Sequence, residues 1–182
     1  MRSLHTVFLD RDGTINVKAA AGHYIRSPAE LVLLPGAAEA VAQLNAAPIR
    51  VILVTNQRWL SEESADPGQY AAVHARLEEL LAAEGAWLDA AYHCPHATGV
   101  CDCRKPGPAM LLRAAEEHGF ELAGSVIVGD SDTDLLAGRA AGTATILLRA
   151  SGGETAGADA VVANLGAAVP LILHAGNSPE AV

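Results

Sequence analysis

The stretch Thr6-Val-Phe-Leu-Asp-Arg-Asp-Gly-Thr14 joins a short apolar run to two carboxylates and a glycine. Its first four residues have the β-favouring, apolar character of a buried strand, which we predict over residues 6–9. A polar residue that directly follows a strand of an open parallel sheet lies at the edge where such sheets bind ligands. Asp10 and Asp12 are therefore the first candidate site residues.

Similar apolar runs alternate with segments of helical spacing along the rest of the chain. We predict strands over residues 6–9, 50–54, 90–93, 125–128, 143–148 and 160–163. We predict helices over residues 37–44, 69–83, 108–118 and 132–141, the last two followed by glycines. This alternation indicates an α/β fold, a three-layer Rossmann-like parallel sheet with helices on both faces. Residues 16–35 and 58–68 are expected to be loops outside the core, and the Gly- and Ala-rich tail after Ser151 gives weak signals.

The composition fits one compact domain of an acidic protein. The chain has 182 residues, of which 51% are hydrophobic and 4% aromatic, so Ala, Val and Leu must build most of the core. We expect a single domain over residues 1–176 and a disordered tail over 177–182. A net charge of −9 argues against nucleic acid and anionic membranes as partners. The start of the chain resembles neither a membrane span nor a secretory signal, which predicts a cytoplasmic monomer.

Asp10 and Asp12 have the spacing needed for two-step phosphoryl transfer. A carboxylate can attack a phosphoryl group and form an aspartyl-phosphate. A second acid nearby can protonate the leaving oxygen and then deprotonate the water that hydrolyses the intermediate. Gly13 lets the chain turn sharply beside the phosphate. The alternative is an ordinary strand followed by an Asp-Gly turn with both carboxylates in solvent.

Three later residues can bind the phosphate that Asp10 would otherwise repel. Thr55 and Asn56 follow the second predicted strand and can donate hydrogen bonds to phosphate oxygens. Lys105, just before a predicted helix, can neutralise phosphate charge. Each of these features alone is also typical of a turn, a helix cap or a solvated lysine.

A second predicted strand is also followed by a carboxylate, which is a candidate magnesium ligand. Asp130 follows the predicted strand 125–128 and can complete a magnesium site with Asp10, because magnesium prefers hard oxygen ligands. Asp132 is expected to cap the helix that follows. Asp134 lies one turn further, where it can support a metal ligand or interact with the helix dipole.

The three cysteines of the chain lie within ten residues of one another. Cys94, His96, Cys101 and Cys103 offer three thiolates and one imidazole, which suit a tetrahedral zinc ion. Four protein ligands leave no open coordination position, so the predicted zinc is structural and braces the loop leading to Lys105. The alternative is a loop histidine beside three free thiols.

In combination, these motifs resemble the haloacid dehalogenase superfamily of phosphatases. The resemblance rests on Asp10-Arg-Asp-Gly-Thr14, Thr55-Asn-Gln57, Lys105 and Gly129-Asp130 with Asp134, in this order. It implies that Asp10 is the nucleophile and Asp12 the general acid and base. It also implies that magnesium is held by Asp10, the backbone carbonyl of Asp12, and Asp130.

The cysteine-rich segment resembles one branch of that superfamily more narrowly. The pattern Cys-Pro-His followed by Cys-Asp-Cys-Arg-Lys-Pro is similar to heptose 1,7-bisphosphate phosphatases and to histidinol-phosphate phosphatases. This implies no large cap domain, a small zinc-binding loop, and substrate contact by Arg104. The expected substrate is a phosphorylated sugar such as D-glycero-D-manno-heptose 1,7-bisphosphate, with histidinol phosphate as the alternative.

Two departures from this branch concern charge near the expected phosphate. Arg58 and Trp59 stand where many members have Ser-Gly, and Ser131 stands where heptose-type members usually have a lysine. Arg58 is expected to replace that missing positive charge at the substrate, and Trp59 either stacks on a sugar or anchors its loop. A different class of protein, a phospho-accepting receiver domain, also combines Asp, Thr, Lys and magnesium. Its acceptor lies mid-chain, however, and it has no counterpart of Asp12.

Overall fold

The computed structural model describes residues 4–149 and 157–176, and six parallel strands of these ranges form one sheet. The strands are β1 (Thr6–Leu9), β2 (Arg50–Asn56), β3 (Ala90–Cys94), β4 (Ser125–Gly129), β5 (Ala144–Leu148) and β6 (Ala160–Val162). The α-helices in the same ranges are α1 (Ala37–Ala46), α2 (Pro67–Ala82), α3 (Ala109–His118), α4 (Asp132–Ala141) and α5 (Leu165–Gly176).

The order of the strands is β3-β2-β1-β4-β5-β6, so the direction in which the chain builds the sheet reverses beside β1. Leu9 at the end of β1 pairs with Leu53 of β2 and with Val128 of β4. The carboxyl ends of these three strands therefore meet at one edge. In an open parallel sheet this reversal opens the crevice in which ligands bind.

Alternation of side chains along β1 divides the core into two layers. Val7 and Leu9 pack in a cluster with buried residues of α1, α2 and α5. Phe8 points to the opposite face and packs in a cluster with residues of α3 and α4. Every residue of β1 is buried, as expected for a strand covered on both faces. The predicted three-layer α/β fold is confirmed.

The ends of α3 and α4 show how local sequence sets helix boundaries. Gly119 follows α3 with φ of +65°, the left-handed conformation that glycine adopts without steric cost. The prediction that Asp132 caps α4 is wrong, because Ser131 is the N-cap residue. In the first turn, Asp134 Oδ2 accepts hydrogen bonds from the Ser131 backbone N–H at 3.1 Å and from the Ser131 hydroxyl at 2.6 Å.

The expectation that residues 16–35 and 58–68 lie outside the core is wrong at three apolar positions. Ile25 is 7%, Leu31 5% and Trp59 0% exposed. Each segment contains a short 3-10 helix, Pro28–Glu30 and Arg58–Ser61, and Trp59 lies in the second. Neither segment has the regular apolar spacing of a strand or a helix, so the sequence pattern did not distinguish the few apolar side chains that anchor them.

Helix α5 lies in the tail whose sequence signals are weak. Its Gly166 and its internal Pro170 lower its intrinsic helical preference. Packing against α1 and the core stabilises it, with Leu165, Ala168, Val169 and Ile172 all buried. The predicted disordered tail, 177–182, lies outside the described residues. None of the described helices is both long enough and apolar enough to cross a membrane.

Candidate active site and metal centres

The crevice beside β1 contains a cavity of about 310 Å³ at the carboxyl edge of the sheet. The cavity is lined by Asp10, Asp12, Lys18, residues 19–25, Thr55, Asn56, Arg104, Lys105, Ser131 and Thr133. Sequence reasoning predicted both aspartates, Thr55, Asn56, Arg104 and Lys105 as site residues, and the fold brings all six to this cavity. They come from segments up to 95 positions apart, Asp10 and Lys105 being in direct contact.

Lys105 lies between two buried carboxylates beneath the cavity. Its Nζ donates to Asp10 Oδ1 at 2.8 Å and to the Val54 carbonyl at 2.8 Å, and it pairs with Asp134 Oδ1 at 2.5 Å. Burial alone would lower the pKa of Lys105, but Asp10 and Asp134 outweigh that effect and raise it. The ammonium therefore keeps its charge, and it can offset the repulsion between Asp10 and an incoming phosphate.

Asp10 experiences opposing influences in the same cluster. Burial raises the pKa of Asp10 to about 7, with a further upward contribution from Asp134, while Lys105 acts in the opposite direction. A cation that coordinates Asp10 would stabilise its ionised form. A bound metal ion would therefore keep Asp10 in its ionised form in this site.

Carboxylate oxygens of Asp10, Asp130 and Asp134 lie within 4.8 Å of one another. Asp130 Oδ1 is buried without a hydrogen-bond partner, while Oδ2 accepts a hydrogen bond from Lys18 at 2.7 Å. A buried carboxylate oxygen without a partner is costly, and a hard cation such as Mg²⁺ would satisfy it. The Asp134 carboxylate already contacts Lys105 and Ser131. Of the three carboxylates, those of Asp10 and Asp130 therefore suit Mg²⁺ best.

Gly13 lets the backbone pass directly beside the carboxylate of Asp130. Its φ is +92°, and a Cβ at this position would overlap the Asp130 carboxyl group. The Asp-Gly pattern that suggested a sharp turn thus also makes room for a metal ligand from β4. The predicted contribution of the Asp12 backbone carbonyl to the metal stays a prediction.

The Asp12 carboxylate, on the cavity wall, is held by neighbouring side chains. Arg11 Nη2 donates to its two oxygens at 3.1 and 3.0 Å, and Asn16 Nδ2 donates to Oδ1 at 3.0 Å. Gln57 Nε2 donates to Oδ2 at 3.0 Å. Sequence reasoning assigned no role to Arg11 or Asn16, because neither residue type signals a carboxylate support on its own.

The two arginines proposed for substrate binding occupy different environments. Arg104 lines the cavity, in agreement with a contact to substrate. Arg58 is exposed and is not among the lining residues; its Nε donates to the Tyr24 hydroxyl at 3.1 Å. Lys18, which sequence reasoning missed, supplies a positive charge beside Asp130 instead. Nothing in the irregular segment around Lys18 could have indicated this contact.

The predicted zinc ligands converge at the end of β3. The Sγ atoms of Cys94, Cys101 and Cys103 lie 3.3 to 3.5 Å apart, and His96 Nδ1 is 3.2 Å from Cys103 Sγ. With Zn–S bonds of about 2.3 Å, tetrahedral geometry places sulfurs roughly 3.8 Å apart. The cluster can therefore close around one zinc ion with little movement.

Two hydrogen bonds join the cysteine-rich loop to the end of β2, the strand that pairs with β1. Asn56 Nδ2 donates to the Lys105 carbonyl at 3.0 Å, and Asn56 Oδ1 accepts from the Lys105 amide at 3.0 Å. Asn56 therefore positions Lys105 through its backbone as well as lining the cavity.

Comparisons with known proteins agree with this geometry. Residues 102–168 match a family model described as HAD-hydrolase-like. A D-glycero-β-D-manno-heptose-1,7-bisphosphate 7-phosphatase from Pseudomonas aeruginosa is 38% identical over 81% of this chain and 82% of its own. The enzyme of the same name from Pseudomonas putida is 40% identical over 81% and 84%.

Solved structures show the same relationship. The D,D-heptose 1,7-bisphosphate phosphatase from Bordetella bronchiseptica, crystallised with magnesium and phosphate, superposes with a TM-score of 0.84. It is 36% identical, and the match covers 94% of this chain and 99% of that one. Fold, site geometry and sequence identity lead to one conclusion: the chain belongs to the HAD-like phosphatases, a family of phosphoric monoester hydrolases.

Proposed function

We propose that this protein is a magnesium-dependent phosphatase of sugar phosphates whose preferred substrate is D-glycero-D-manno-heptose 1,7-bisphosphate. The observation that carries the proposal is the convergence of Asp10, Lys105 and Asp130 at one edge of the sheet, in a chain whose relatives bear that enzyme name. The three residues supply a nucleophile, a fixed cation and a metal ligand.

The proposed reaction has two steps, both centred on Asp10. A carboxylate oxygen of Asp10 attacks phosphorus, the bond to the leaving oxygen breaks, and Asp12 gives that oxygen its proton. A water molecule then attacks the aspartyl-phosphate, gives its proton to Asp12, and releases inorganic phosphate and free Asp10. When bound, Mg²⁺ would neutralise phosphate charge during both steps.

The remaining lining residues have roles in binding. Lys105 faces Asp10 and neutralises the transferred phosphoryl group, while Thr55 and Asn56 donate hydrogen bonds to its oxygens. Arg104 contacts the rest of the substrate. Zinc at the cluster of three cysteines and His96 would be structural, since its four protein ligands leave no open position.

The charges of the cavity favour a bisphosphate over histidinol phosphate. Lys18, Arg104 and Lys105 line it, and a second phosphate can pair with a cation not committed to the first. Histidinol phosphate carries positive charge, which the same residues would repel. The names of the relatives also favour the heptose substrate.

A phosphate-release screen with Mg²⁺ tests the proposal. The panel contains the heptose 1,7-bisphosphate, a hexose bisphosphate, a hexose monophosphate and histidinol phosphate. We expect the largest kcat/KM for the heptose bisphosphate. Preferred turnover of histidinol phosphate would reverse the assignment, and turnover of no phosphomonoester would refute the enzyme function.

The variant Asp10→Asn controls for contaminating phosphatases. It keeps the shape of the side chain but removes the nucleophile, so activity should fall to background while the protein stays folded by circular dichroism. Unchanged activity would exclude Asp10 as nucleophile.

A further inference from the structure

The side-chain amide of Gln57 has a defined orientation deep inside the protein. Its Nε2 donates to Asp12 Oδ2 at 3.0 Å and to Thr55 Oγ1 at 2.8 Å. Its Oε1 accepts from Trp59 Nε1 at 2.9 Å and from Arg11 Nη2 at 3.3 Å. Gln57 and Trp59 are both 0% exposed, so water does not substitute for these partners.

The chemistry of the neighbours decides which end of the amide faces Asp12. The indole N–H of Trp59 and the guanidinium of Arg11 are donors only, so both require an acceptor. They select Oε1 and thereby direct Nε2 at the carboxylate of Asp12. With the amide reversed, two donors would face an NH₂ group and Oε1 would face an anion. A buried polar network of this kind is favourable only when every member is paired.

Burial also settles the position of Trp59 relative to substrate. A side chain that is 0% exposed and absent from the cavity lining does not stack on a sugar. Trp59 instead reaches the active site through Gln57, two residues earlier in the chain. Its ring anchors the loop after β2, and its N–H holds the amide.

We propose that Gln57 and Trp59 are positioning residues for proton transfer by Asp12, with Trp59 fixing the amide of Gln57 and Gln57 fixing the carboxyl of Asp12. This inference rests on the proposed function, in which Asp12 protonates the leaving group. If the Asp12 carboxyl is wrongly oriented, the first step slows for substrates whose leaving oxygen needs that proton. The rate falls much less for a substrate whose leaving group departs readily as an anion.

The test compares two leaving groups in single turnovers with enzyme in excess, which isolates the first step. One substrate is an alkyl sugar phosphate, and the other is p-nitrophenyl phosphate. Gln57→Met keeps the length of the side chain but removes the amide, and Trp59→Phe keeps a buried ring but removes the N–H. Trp87→Phe is the matched control, because Trp87 is 52% exposed and distant from this network in the sequence.

We expect leaving-group release from the alkyl ester to fall about tenfold in Gln57→Met and about threefold in Trp59→Phe, part of the 10²- to 10⁴-fold that general acid catalysis provides. Release of p-nitrophenol should change less than twofold in both variants, and Trp87→Phe should match wild type. Equal losses on both substrates, or no loss on either, would overturn the inference.

Asp12→Asn separates this inference from the proposed function. If Asp12→Asn selectively impairs the alkyl ester but the Gln57 and Trp59 variants do not, only the positioning role fails. If Asp12→Asn shows no dependence on the leaving group, the acid role of Asp12 fails. Should Trp59→Phe not fold, Gln57→Met still decides the question, since it preserves side-chain volume.

Discussion

Asp10 is a buried carboxylate whose negative charge is only partly compensated by its neighbours. Lys105 donates to one oxygen at 2.8 Å, but Lys105 is shared with Asp134. Burial consequently remains the largest influence and raises the pKa of Asp10 to about 7. A nucleophile must be ionised, so the residue depends on a further cation for reactivity.

This dependence predicts how the stability of the metal-free protein varies with pH. The ordinary pKa of an aspartate such as Asp10 in an unfolded chain is 3.8, and burial raises the pKa of Asp10 to about 7 in the folded protein. Between these values the folded state retains a proton that the unfolded state has lost, so the free energy of unfolding falls as pH rises. Wild type should therefore lose more stability than Asp10→Asn between pH 4 and pH 7, measured by urea unfolding with chelator present.

Added Mg²⁺ provides the matching control for that measurement. Because the cation binds ionised Asp10, it should reduce the decline in wild type and leave Asp10→Asn less affected. Identical pH dependence of wild type and Asp10→Asn without metal would contradict a raised pKa at this position.

At the scale of elements, the cysteine-rich loop is attached to the sheet at two separate places. The predicted zinc cluster closes the loop on itself between Cys94 and Cys103. The hydrogen bonds of Asn56 hold Lys105 to the end of β2 independently of that cluster. The loop can therefore loosen without releasing Lys105 from Asp10.

Removal of zinc should increase amide exchange within residues 95–103 and change exchange in β1 much less. The physical reason is that every residue of this loop is at least partly exposed, whereas β1 is buried on both faces. Hydrogen–deuterium exchange with and without a zinc chelator measures the difference. Cys103→Ser, which already lacks a ligand, should respond little to the chelator, and an equal response in β1 and the loop would count against a local, structural site.

At the scale of the whole molecule, α5 completes the layer that covers one face of the sheet. Ile172 is fully buried against residues of the same core cluster as Val7 and Leu9, although more than 160 positions separate it from them. The end of the described chain thus stabilises the strand that carries the nucleophile.

Truncating Ile172 should therefore destabilise the entire fold. Ile172→Ala leaves a cavity in the core and should cost about 2–5 kcal/mol of unfolding free energy. Leu171→Ala is the matched control, because the Leu171 side chain is 44% exposed. Its truncation should change the free energy of unfolding by only about 0.5 kcal/mol. Urea unfolding measures both variants, and equal effects would refute the burial of this face of α5.

Sequence patterns identified the fold class and six of the residues that line the cavity, because both depend on local features. Buried strands appear as continuous apolar runs, and the polar residues after Leu9 and Val54 mark strand ends by position alone. The four predicted zinc ligands are close in sequence, so their spacing alone predicted that their side chains cluster.

Only the tertiary structure decided the features that join distant segments. No local pattern shows that Lys18 pairs with Asp130, that Arg58 donates to Tyr24, or that the ring of Trp59 is buried. These outcomes depend on which side chains the folded sheet and its loops bring within hydrogen-bonding distance. Helix α5 was missed for the same reason, since packing outweighed its weak intrinsic propensity.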